Sequence, residues 1–211
     1  NPVMIVGDGM LGQIMEPVEI TPHAPASDLP EKTWATNGVK NHPGRRNIIN
    51  SLFLKPEMLE DHVLALFAKY EAMRADEVMV EEYHLDDADI VLVAYGTTAR
   101  IVKSAIAMLE AEGVKVGLIR PITLFPFPAA SFARLPERVK NLLVVEMSMG
   151  QMIDDVRIAN EGRRQVHFIG RTGGMIPIPT VIADTVKHIL AKHHAGDAPH
   201  VSVGAENGEL R

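Results

Sequence analysis

A glycine-rich hexapeptide near the start of the chain has the spacing of a dinucleotide-binding fingerprint. Gly7, Gly9 and Gly12 follow an apolar run in the pattern G-x-G-x-x-G, and Asp28 stands about twenty residues later, where an acid binds the ribose hydroxyls. The fingerprint works only when a helix N-terminus faces the pyrophosphate. Four prolines between positions 17 and 30 leave no room for that helix or for a second strand. We therefore interpret the hexapeptide as a tight glycine turn that ends a strand.

The same Gly7-Asp8-Gly9 turn also resembles a motif that binds magnesium and thiamine diphosphate. In that motif an Asp and an Asn hold a cation that bridges two phosphates, and Asn37 lies downstream of Asp8. The motif spans a strand, a helix and another strand, which the proline-rich interval does not provide. The sequence favours a structural turn over a metal site.

A second set of candidates follows an apolar run in the second half of the chain. Gly96, Thr97 and Thr98 open a predicted helix, which places backbone N–H groups and a hydroxyl at the carboxyl edge of a sheet. Open α/β sheets bind their ligands at this edge. A simpler role is that Thr97 or Thr98 caps the helix, and we favour it because every helix needs a cap.

Two further loops are predicted to line the same edge. One connects Glu146, at the end of a strand, to Gln151, and the other begins at Arg171 in the sequence Arg-Thr-Gly-Gly. A ligand cleft and a subunit contact are both compatible with this arrangement. We assign no catalytic, cofactor-binding or metal-binding residue. The candidates for ligand or subunit contact are Gly96, Thr97, Thr98, Glu146, Gln151 and Arg171.

The composition excludes several classes of function. The 211 residues include no cysteine, which excludes disulfides, zinc ribbons and cysteine-ligated iron–sulfur clusters within this chain. The net charge of -6 disfavours a nucleic-acid partner, because phosphate binding requires a positive field. The chain has no long apolar run of the kind that spans a membrane, and its first residues lack the features of a signal peptide. We expect no membrane segment and a cytoplasmic location.

The first 56 residues are not predicted to form a complete domain. Residues 1–6 are a short apolar run typical of a strand buried on both faces, and such a strand requires neighbours that the following residues do not supply. We therefore expect this strand to belong to a truncated domain, so that the chain is a fragment. Residues 20–56 are rich in Gly, Pro and Asn and are predicted to form an extended linker anchored by Trp34.

Apolar spacing predicts a second, complete domain over residues 57–194. An amphipathic helix over 56–76 is expected to lie against an apolar surface, and residues 77–84 are predicted to be an edge strand. Short apolar strands then alternate with helices, which indicates a doubly wound parallel α/β sheet of Rossmann-like type, covered on both faces. Residues 195–211 are polar and aperiodic, and we expect a flexible tail. The predicted strands are 90–95, 115–119, 141–146 and 165–169, and the predicted helices are 98–112, 129–135, 151–161 and 179–192.

Four blocks of sequence resemble one known family. They cover residues 1–19, residues 120–128 (Arg-Pro-Ile-Thr-Leu-Phe-Pro-Phe-Pro), residues 145–152 (Val-Glu-Met-Ser-Met-Gly-Gln-Met) and residues 170–174 (Gly-Arg-Thr-Gly-Gly). In this order they are similar to the C-terminal part of the α-type subunit of thiamine-dependent 2-oxoacid:ferredoxin oxidoreductases. The third and fourth blocks look closest to the 2-oxoisovalerate (3-methyl-2-oxobutanoate) members.

The resemblance implies a division of labour among subunits. Residues 1–19 would end a thiamine pyrimidine-binding domain, and residues 57–194 would form a domain like the C-terminal domain of transketolase. In the family a pyrophosphate-binding β-type subunit holds thiamine diphosphate and magnesium, and γ-type and ferredoxin-like subunits and iron–sulfur clusters complete the enzyme. Asp8 would then not be a metal ligand, and no cofactor is expected to bind this chain alone.

The implied reaction is the oxidative decarboxylation of a 2-oxoacid to an acyl-CoA, with ferredoxin as the electron acceptor. This chain would serve subunit assembly, form one wall of the approach for CoA or the 2-oxoacid, and be inactive alone. Two alternatives remain open: a stand-alone nucleotide- or CoA-binding module that uses residues 96–98, and the C-terminal domain of another thiamine-dependent dehydrogenase. The missing sheet at Asn1 argues against the first, and the block at residues 120–128 against the second.

Overall fold

The structure is a computed structural model that describes residues 3–21, 31–39, 44, 46–195 and 202–203. The chain divides into two compact units, Asn1–Lys69 and Tyr70–Arg211. Among the described helices, none combines the length and the apolar character that crossing a membrane requires.

The first unit has little regular structure in its described part. A 3-10 helix spans Leu11–Gln13, and helix α1 (Pro56–Asp76) begins here and continues into the second unit. The described residues between them form turns and irregular chain. The side-chain amide of Asn47 donates to the backbone carbonyls of Thr33 and Ala35 at 2.6 and 3.1 Å, which ties two parts of this irregular chain together.

The strand predicted at residues 1–6 is not formed over its described part, residues 3–6. These residues have no strand pairing, and the side chains of Val3 and Ile5 are 86% and 94% exposed. A strand is stabilised by hydrogen bonds and packing with its neighbours, and no strand in the described first unit provides them. The expected anchoring of the linker by Trp34 is also wrong, because 51% of this residue is exposed.

Helix α1 has the predicted bounds but not the predicted burial. It starts at Pro56, where the missing backbone N–H of proline removes no helical hydrogen bond. None of its residues is buried, and the side chains of Leu64 and Phe67 are 62% and 58% exposed. The described residues therefore leave most of this helix exposed.

The second unit contains a six-stranded sheet in the order β1-β3-β2-β4-β5-β6. Strand β1 pairs antiparallel with β3, and the other neighbours are parallel, which confirms both the edge strand and the doubly wound parallel sheet. Strand β6 lies within the residues that were predicted to form a flexible tail, of which residues 196–201 and 204–211 lie outside the described part. The strands are β1 (Val80–Tyr83), β2 (Ile90–Val93), β3 (Val116–Pro121), β4 (Asn141–Glu146), β5 (Gln165–Gly170) and β6 (Ser202–Val203).

In the described part of the chain, four helices after α1 cover the two faces of this sheet. Alternate strand residues point to opposite faces, so Leu92 and Leu143 pack in the cluster with α2 and α5, whereas Val93 and Val144 pack in the cluster with α3 and α4. Each predicted helix is present, with ends that differ by at most three residues. The helices are α2 (Gly96–Ala111), α3 (Ala129–Ala133), α4 (Met152–Asn160) and α5 (Pro179–Ala195).

The strand order reverses between β2 and β4. The chain passes from β2 to β3 on one side and then returns to β4 on the other side. Helices α2 and α4 follow β2 and β4 and pack in different clusters, so they begin on opposite faces of the sheet. Open α/β sheets bind ligands in the crevice at such a reversal. The carboxyl ends of β2 and β4 are therefore the place to look for a site.

Candidate functional site

The Glu146 carboxylate holds together the loop between β4 and α4. Glu146 is 1% exposed, and its oxygens accept hydrogen bonds from the backbone N–H groups of Gln151, Met152 and Ile153 at 3.0–3.1 Å. The Ser148 hydroxyl donates a fourth hydrogen bond at 2.9 Å. N–H groups in the first turn of a helix lack helical acceptors, and a carboxylate there also complements the helix dipole. Glu146 is therefore a helix cap, and its oxygens are engaged within the chain.

Two glycines allow this loop to pack at the edge of the sheet. Gly150 has a φ of +104°, a conformation that side-chain-bearing residues rarely adopt, and its N–H donates to the Ser148 hydroxyl at 3.1 Å. Gly170, at the end of β5, lies so close to the loop that a Cβ atom would be 2.5 Å from the carbonyl oxygen of Ser148. The sequence blocks at residues 145–152 and 170–174 thus contact each other in the folded chain.

Arg171 begins an exposed turn beyond β5. Its backbone N–H donates to the carbonyl oxygen of Glu146 at 3.1 Å, which fixes the start of the turn to β4. The N–H of Met175 donates to the Thr172 carbonyl at 3.2 Å, while the two central glycines have φ values of +66° and +85°. Positive φ at both central positions defines a type I′ turn and explains the Gly-Gly pair. The Arg171 side chain is partly exposed at this edge.

The start of α2 lies at the strand reversal. Gly96 is its first residue and has a φ of +55°, again in the region that favours glycine. The N-cap residue is Tyr95, which makes no side-chain capping hydrogen bond. The expected capping by Thr97 or Thr98 is therefore wrong, because the helix begins before both threonines. Thr98 instead lies inside the first turn, 5% exposed.

Tyr95 belongs to this edge although the sequence analysis did not select it. It is partly buried, and burial together with the negative charge of Glu146 raises the pKa of the Tyr95 phenol. The phenol is therefore protonated at neutral pH and can donate a hydrogen bond. Its position directly after a buried strand and before Gly96 is the signal that could have identified it.

The structure brings the six sequence candidates to the carboxyl ends of three neighbouring strands. The backbone N–H groups of Gln151 and Arg171 both donate hydrogen bonds to Glu146. Gly96 opens the helix that follows the adjacent strand β2. Tyr95 and Arg171 are both partly exposed and add a phenol and a guanidinium to this edge, two groups that can donate hydrogen bonds. No three His, Asp or Glu side chains within the described ranges are arranged to hold a metal ion.

The Gly7-Asp8-Gly9 segment begins a turn, as predicted, but the described residues before it form no strand. The Asp8 carboxylate accepts the N–H of Leu11 at 2.6 Å, and the N–H of Gly12 donates to the Asp8 carbonyl at 3.2 Å. A 3-10 helix of 3 residues follows, not the long helix that a pyrophosphate site requires. Asp28, the proposed ribose-binding acid, lies outside the described residues.

Comparison with known proteins identifies a matching family model and several related proteins. A family model described as pyruvate:ferredoxin oxidoreductase core domain II matches residues 88–182, which include all six candidates. Ketoisovalerate oxidoreductase subunit VorB of Methanothermobacter marburgensis is 43% identical over 174 residues, or 82% of this chain and 48% of that protein. The 2-oxoglutarate synthase subunit KorA of the same organism is 33% identical over 154 residues, or 73% of this chain and 39% of that protein. The chain thus spans about half the length of the curated relatives that it matches.

Among the solved structures that share the fold of the chain is the 2-oxoglutarate:ferredoxin oxidoreductase from Magnetococcus marinus, with 2-oxoglutarate, coenzyme A and succinyl-CoA bound. The TM-score is 0.56, the identity is 24%, and the match covers 69% of this chain and 25% of that chain. This likeness supports the doubly wound α/β fold.

Proposed function

The chain belongs to the 2-oxoacid:ferredoxin oxidoreductase family, and from this membership we propose that it is one subunit of an enzyme that oxidatively decarboxylates a 2-oxoacid. The products are carbon dioxide, an acyl-CoA and reduced ferredoxin. The observation that carries the proposal is the 43% identity with the ketoisovalerate oxidoreductase subunit over 82% of this chain. The alternatives of a stand-alone binding module and of another thiamine-dependent dehydrogenase have no observation of comparable strength.

The proposed substrate is 2-oxoisovalerate, also named 3-methyl-2-oxobutanoate. The identity with the ketoisovalerate subunit is 43%, whereas the 2-oxoglutarate subunit of the same organism reaches 33% over a smaller share of the chain. This difference within one organism supports a branched-chain substrate over an acidic one.

The role that we propose for this chain is to supply a rigid edge for the complete enzyme. Glu146 uses its oxygens to cap α4 and to engage the backbone N–H of Gln151, and we propose that residues 96–98, the Gln151 side chain and Arg171 contact a neighbouring subunit, or CoA or the 2-oxoacid. The domain organisation belongs to the same proposal. Residues 1–19 would end a pyrimidine-binding domain, and residues 57–194 would form the transketolase C-terminal-like domain. Residues 20–56 would be the linker between these two domains, and residues 195–211 would form a flexible tail.

Thiamine diphosphate, magnesium and iron–sulfur clusters belong to the proposal as groups of the complete enzyme. The residues of this chain do not fit them: the sequence has no cysteine, Asp8 is engaged in a turn, and the described residues hold no cluster of metal ligands. We assign these groups to the pyrophosphate-binding β-type, γ-type and ferredoxin-like subunits. The cytoplasmic location predicted from the sequence is part of the same proposal.

An assay of the complete complex tests this function. The complex that contains the full-length form of this subunit is purified, and reduction of ferredoxin is measured with CoA and with 2-oxoisovalerate, 2-oxoglutarate or pyruvate. We expect kcat/KM for 2-oxoisovalerate to exceed that for 2-oxoglutarate by about tenfold or more. A preference for 2-oxoglutarate would contradict the substrate assignment. The absence of CoA-dependent reduction with every 2-oxoacid would contradict the activity itself.

A further inference from the structure

A groove of about 570 Å³ lies in the second unit beside α4. Three segments line it, which fall within residues 74–78, residues 124–130 and residues 155–159. We call it the α4 groove. Its lining residues include two charged side chains, Arg74 and Asp155, and are otherwise apolar. Small-molecule sites combine apolar walls with several convergent polar groups, and the α4 groove lacks that combination.

Large apolar side chains are exposed along the α4 groove. Leu124, Phe125 and Ile158 are 44%, 57% and 75% exposed. Contiguous apolar surface of this kind on a folded domain typically marks an interaction site. Ile158 lies on the outer side of α4, so the packing of the core does not require an apolar residue at this position.

The walls of the α4 groove are fixed in place. The Phe127 ring stacks on Phe132, which is fully buried, with centroids 5.6 Å apart. The hydroxyl of Thr123 donates to the carbonyl of Pro126 at 3.0 Å, and the N–H of Met79 donates to the same hydroxyl at 3.0 Å. The groove is therefore preformed, which lowers the entropy lost when a partner binds.

The rim of the α4 groove carries one negative charge that lacks a counterion. Asp155 forms no ion pair or hydrogen bond through its carboxylate with any described residue, whereas Asp154 pairs with Arg157 at 3.1 Å. Burial and the neighbouring charges of Asp154 and Glu146 raise the pKa of Asp155. Arg74, the other charged residue that lines the groove, is already paired with Glu71. A cation supplied from outside would therefore be stabilised at Asp155.

We propose that the α4 groove is the docking site for another subunit of the oxidoreductase, which inserts an apolar side chain beside Phe125 and Ile158 and places a Lys or Arg against Asp155. The proposal rests on the proposed function, because it requires a multi-subunit enzyme. The negative charge of Asp155 favours a partner segment that carries a Lys or Arg. The apolar walls of the groove favour an apolar residue next to that basic residue.

Matched variants test the charge in the complete complex. Asp155→Asn and Asp154→Asn each remove one carboxylate from the first turn of α4, so their effects on the helix dipole are similar. The dissociation constant of this full-length subunit from the remaining subunits is measured by sedimentation over a dilution series. We expect Asp155→Asn to raise it by about tenfold and Asp154→Asn by less than about twofold. Equal values for the two variants would overturn the proposal.

A substitution at position 158 tests the apolar contact of the proposed docking site. Ile158→Glu places a charge at a residue that is 75% exposed, so the fold should be kept, and circular dichroism checks this. We expect the dissociation constant to rise by about a hundredfold, and assembly as tight as the wild type would overturn the proposal. A photoreactive benzoylphenylalanine at position 158 gives an independent readout that does not depend on Ile158→Glu.

The crosslinked product identifies the partner. We expect a crosslink from position 158 to another subunit, within a few residues of a Lys or Arg. A crosslink to a second copy of this chain, or no crosslink in the assembled complex, would overturn the proposal. The failure of the docking site is distinguishable from the failure of the proposed function, because the unmodified complex is assayed in parallel for 2-oxoacid-dependent ferredoxin reduction.

Discussion

The cap of α4 is supplied by a residue that precedes the helix by several positions. Caps usually come from the N-cap residue, but Gln151 at this position makes no side-chain capping hydrogen bond. Glu146 reaches the first turn from the end of β4 instead. No local capping motif has a cap six residues before the first residue of the helix. The sequence analysis therefore placed Glu146 at the correct edge of the sheet but did not predict its role as a cap.

Replacing Glu146 with glutamine tests the cap. The variant Glu146→Gln keeps the shape of the side chain but offers one oxygen, plus an NH₂ group, to three N–H groups and a hydroxyl, so buried donors lose their acceptors. We expect the free energy of unfolding of the full chain to fall by about 2–3 kcal/mol in urea denaturation. The control Glu137→Gln changes an exposed residue and should stay within about 0.5 kcal/mol of the wild type. A cap variant as stable as this control would show that the hydrogen bonds to Glu146 contribute little.

Glu81 gives the edge strand β1 a pH-dependent connection. Its carboxylate binds Lys103 of α2, and it accepts a hydrogen bond from Arg120 of β3 at 2.8 Å. These hydrogen bonds, Lys103 first, hold the pKa of Glu81 below its ordinary value of 4.5. The stability that they contribute is complete above about pH 4.5 and is lost as the pH falls through the lowered pKa.

The variant Glu81→Gln should remove this pH dependence. We expect the wild type to be more stable than Glu81→Gln at pH 7 and the difference to shrink as the pH falls from 4.5 towards 3. Urea midpoints measured at several pH values give this comparison, and Glu60→Gln, at an exposed position on α1, serves as the control. A difference that stays constant over this pH range would contradict the ion-pair explanation.

The strands and helices of the second unit could be predicted because burial controls them. All six residues of β4 are buried, and the sequence predicted its bounds from an apolar run enclosed on both faces. The start of α2 could not be predicted, since the positive φ of Gly96 begins the helix before the threonines that resemble caps. The strand at residues 1–6 was predicted from an apolar run together with partners outside these residues, and without such partners its described part, residues 3–6, forms no strand.

The loops at the carboxyl edge depend on close contact between Gly170 and the loop after β4, which could not be predicted from the sequence. Gly170 permits contact between β5 and the loop after β4, and this contact involves the backbone of Ser148. The sequence showed two glycine-containing blocks, but their contact arises only when β4 and β5 pair as neighbours in the sheet.

The variant Gly170→Ala tests whether this contact positions the loop. A Cβ atom would lie 2.5 Å from the Ser148 carbonyl oxygen and 2.6 Å from the Phe168 ring, so one of the two segments must move. We expect a loss of about 1–3 kcal/mol in the free energy of unfolding. Gly12→Ala is the control, because a Cβ atom there meets nothing within 4 Å. Equal stability of both variants would show that the loop shifts without cost.

The chain as a whole exposes much apolar surface outside the core of the second unit. Val3, Ile5 and Leu64 are 86%, 94% and 62% exposed, and none of the residues of α1 is buried. Single exposed apolar residues are ordinary, but a run of them along a helix typically marks an interface. The coverage of about half the length of the relatives agrees with this reading. Both observations support the proposal that the chain works as part of a larger enzyme.

We predict that the isolated chain neither binds thiamine diphosphate tightly nor reduces a viologen dye with any 2-oxoacid. Tight binding of the diphosphate requires a cation and its ligands, and electron transfer to a dye requires a redox centre. The sequence has no cysteine for a cluster, and the Asp8 carboxylate accepts the N–H of Leu11 within its own turn. Calorimetric titration with thiamine diphosphate and magnesium should therefore give no saturable heat, while the complete complex is the positive control. Saturable binding to the isolated chain would mean that the division of labour among subunits is wrong, even if the complete complex shows the proposed activity.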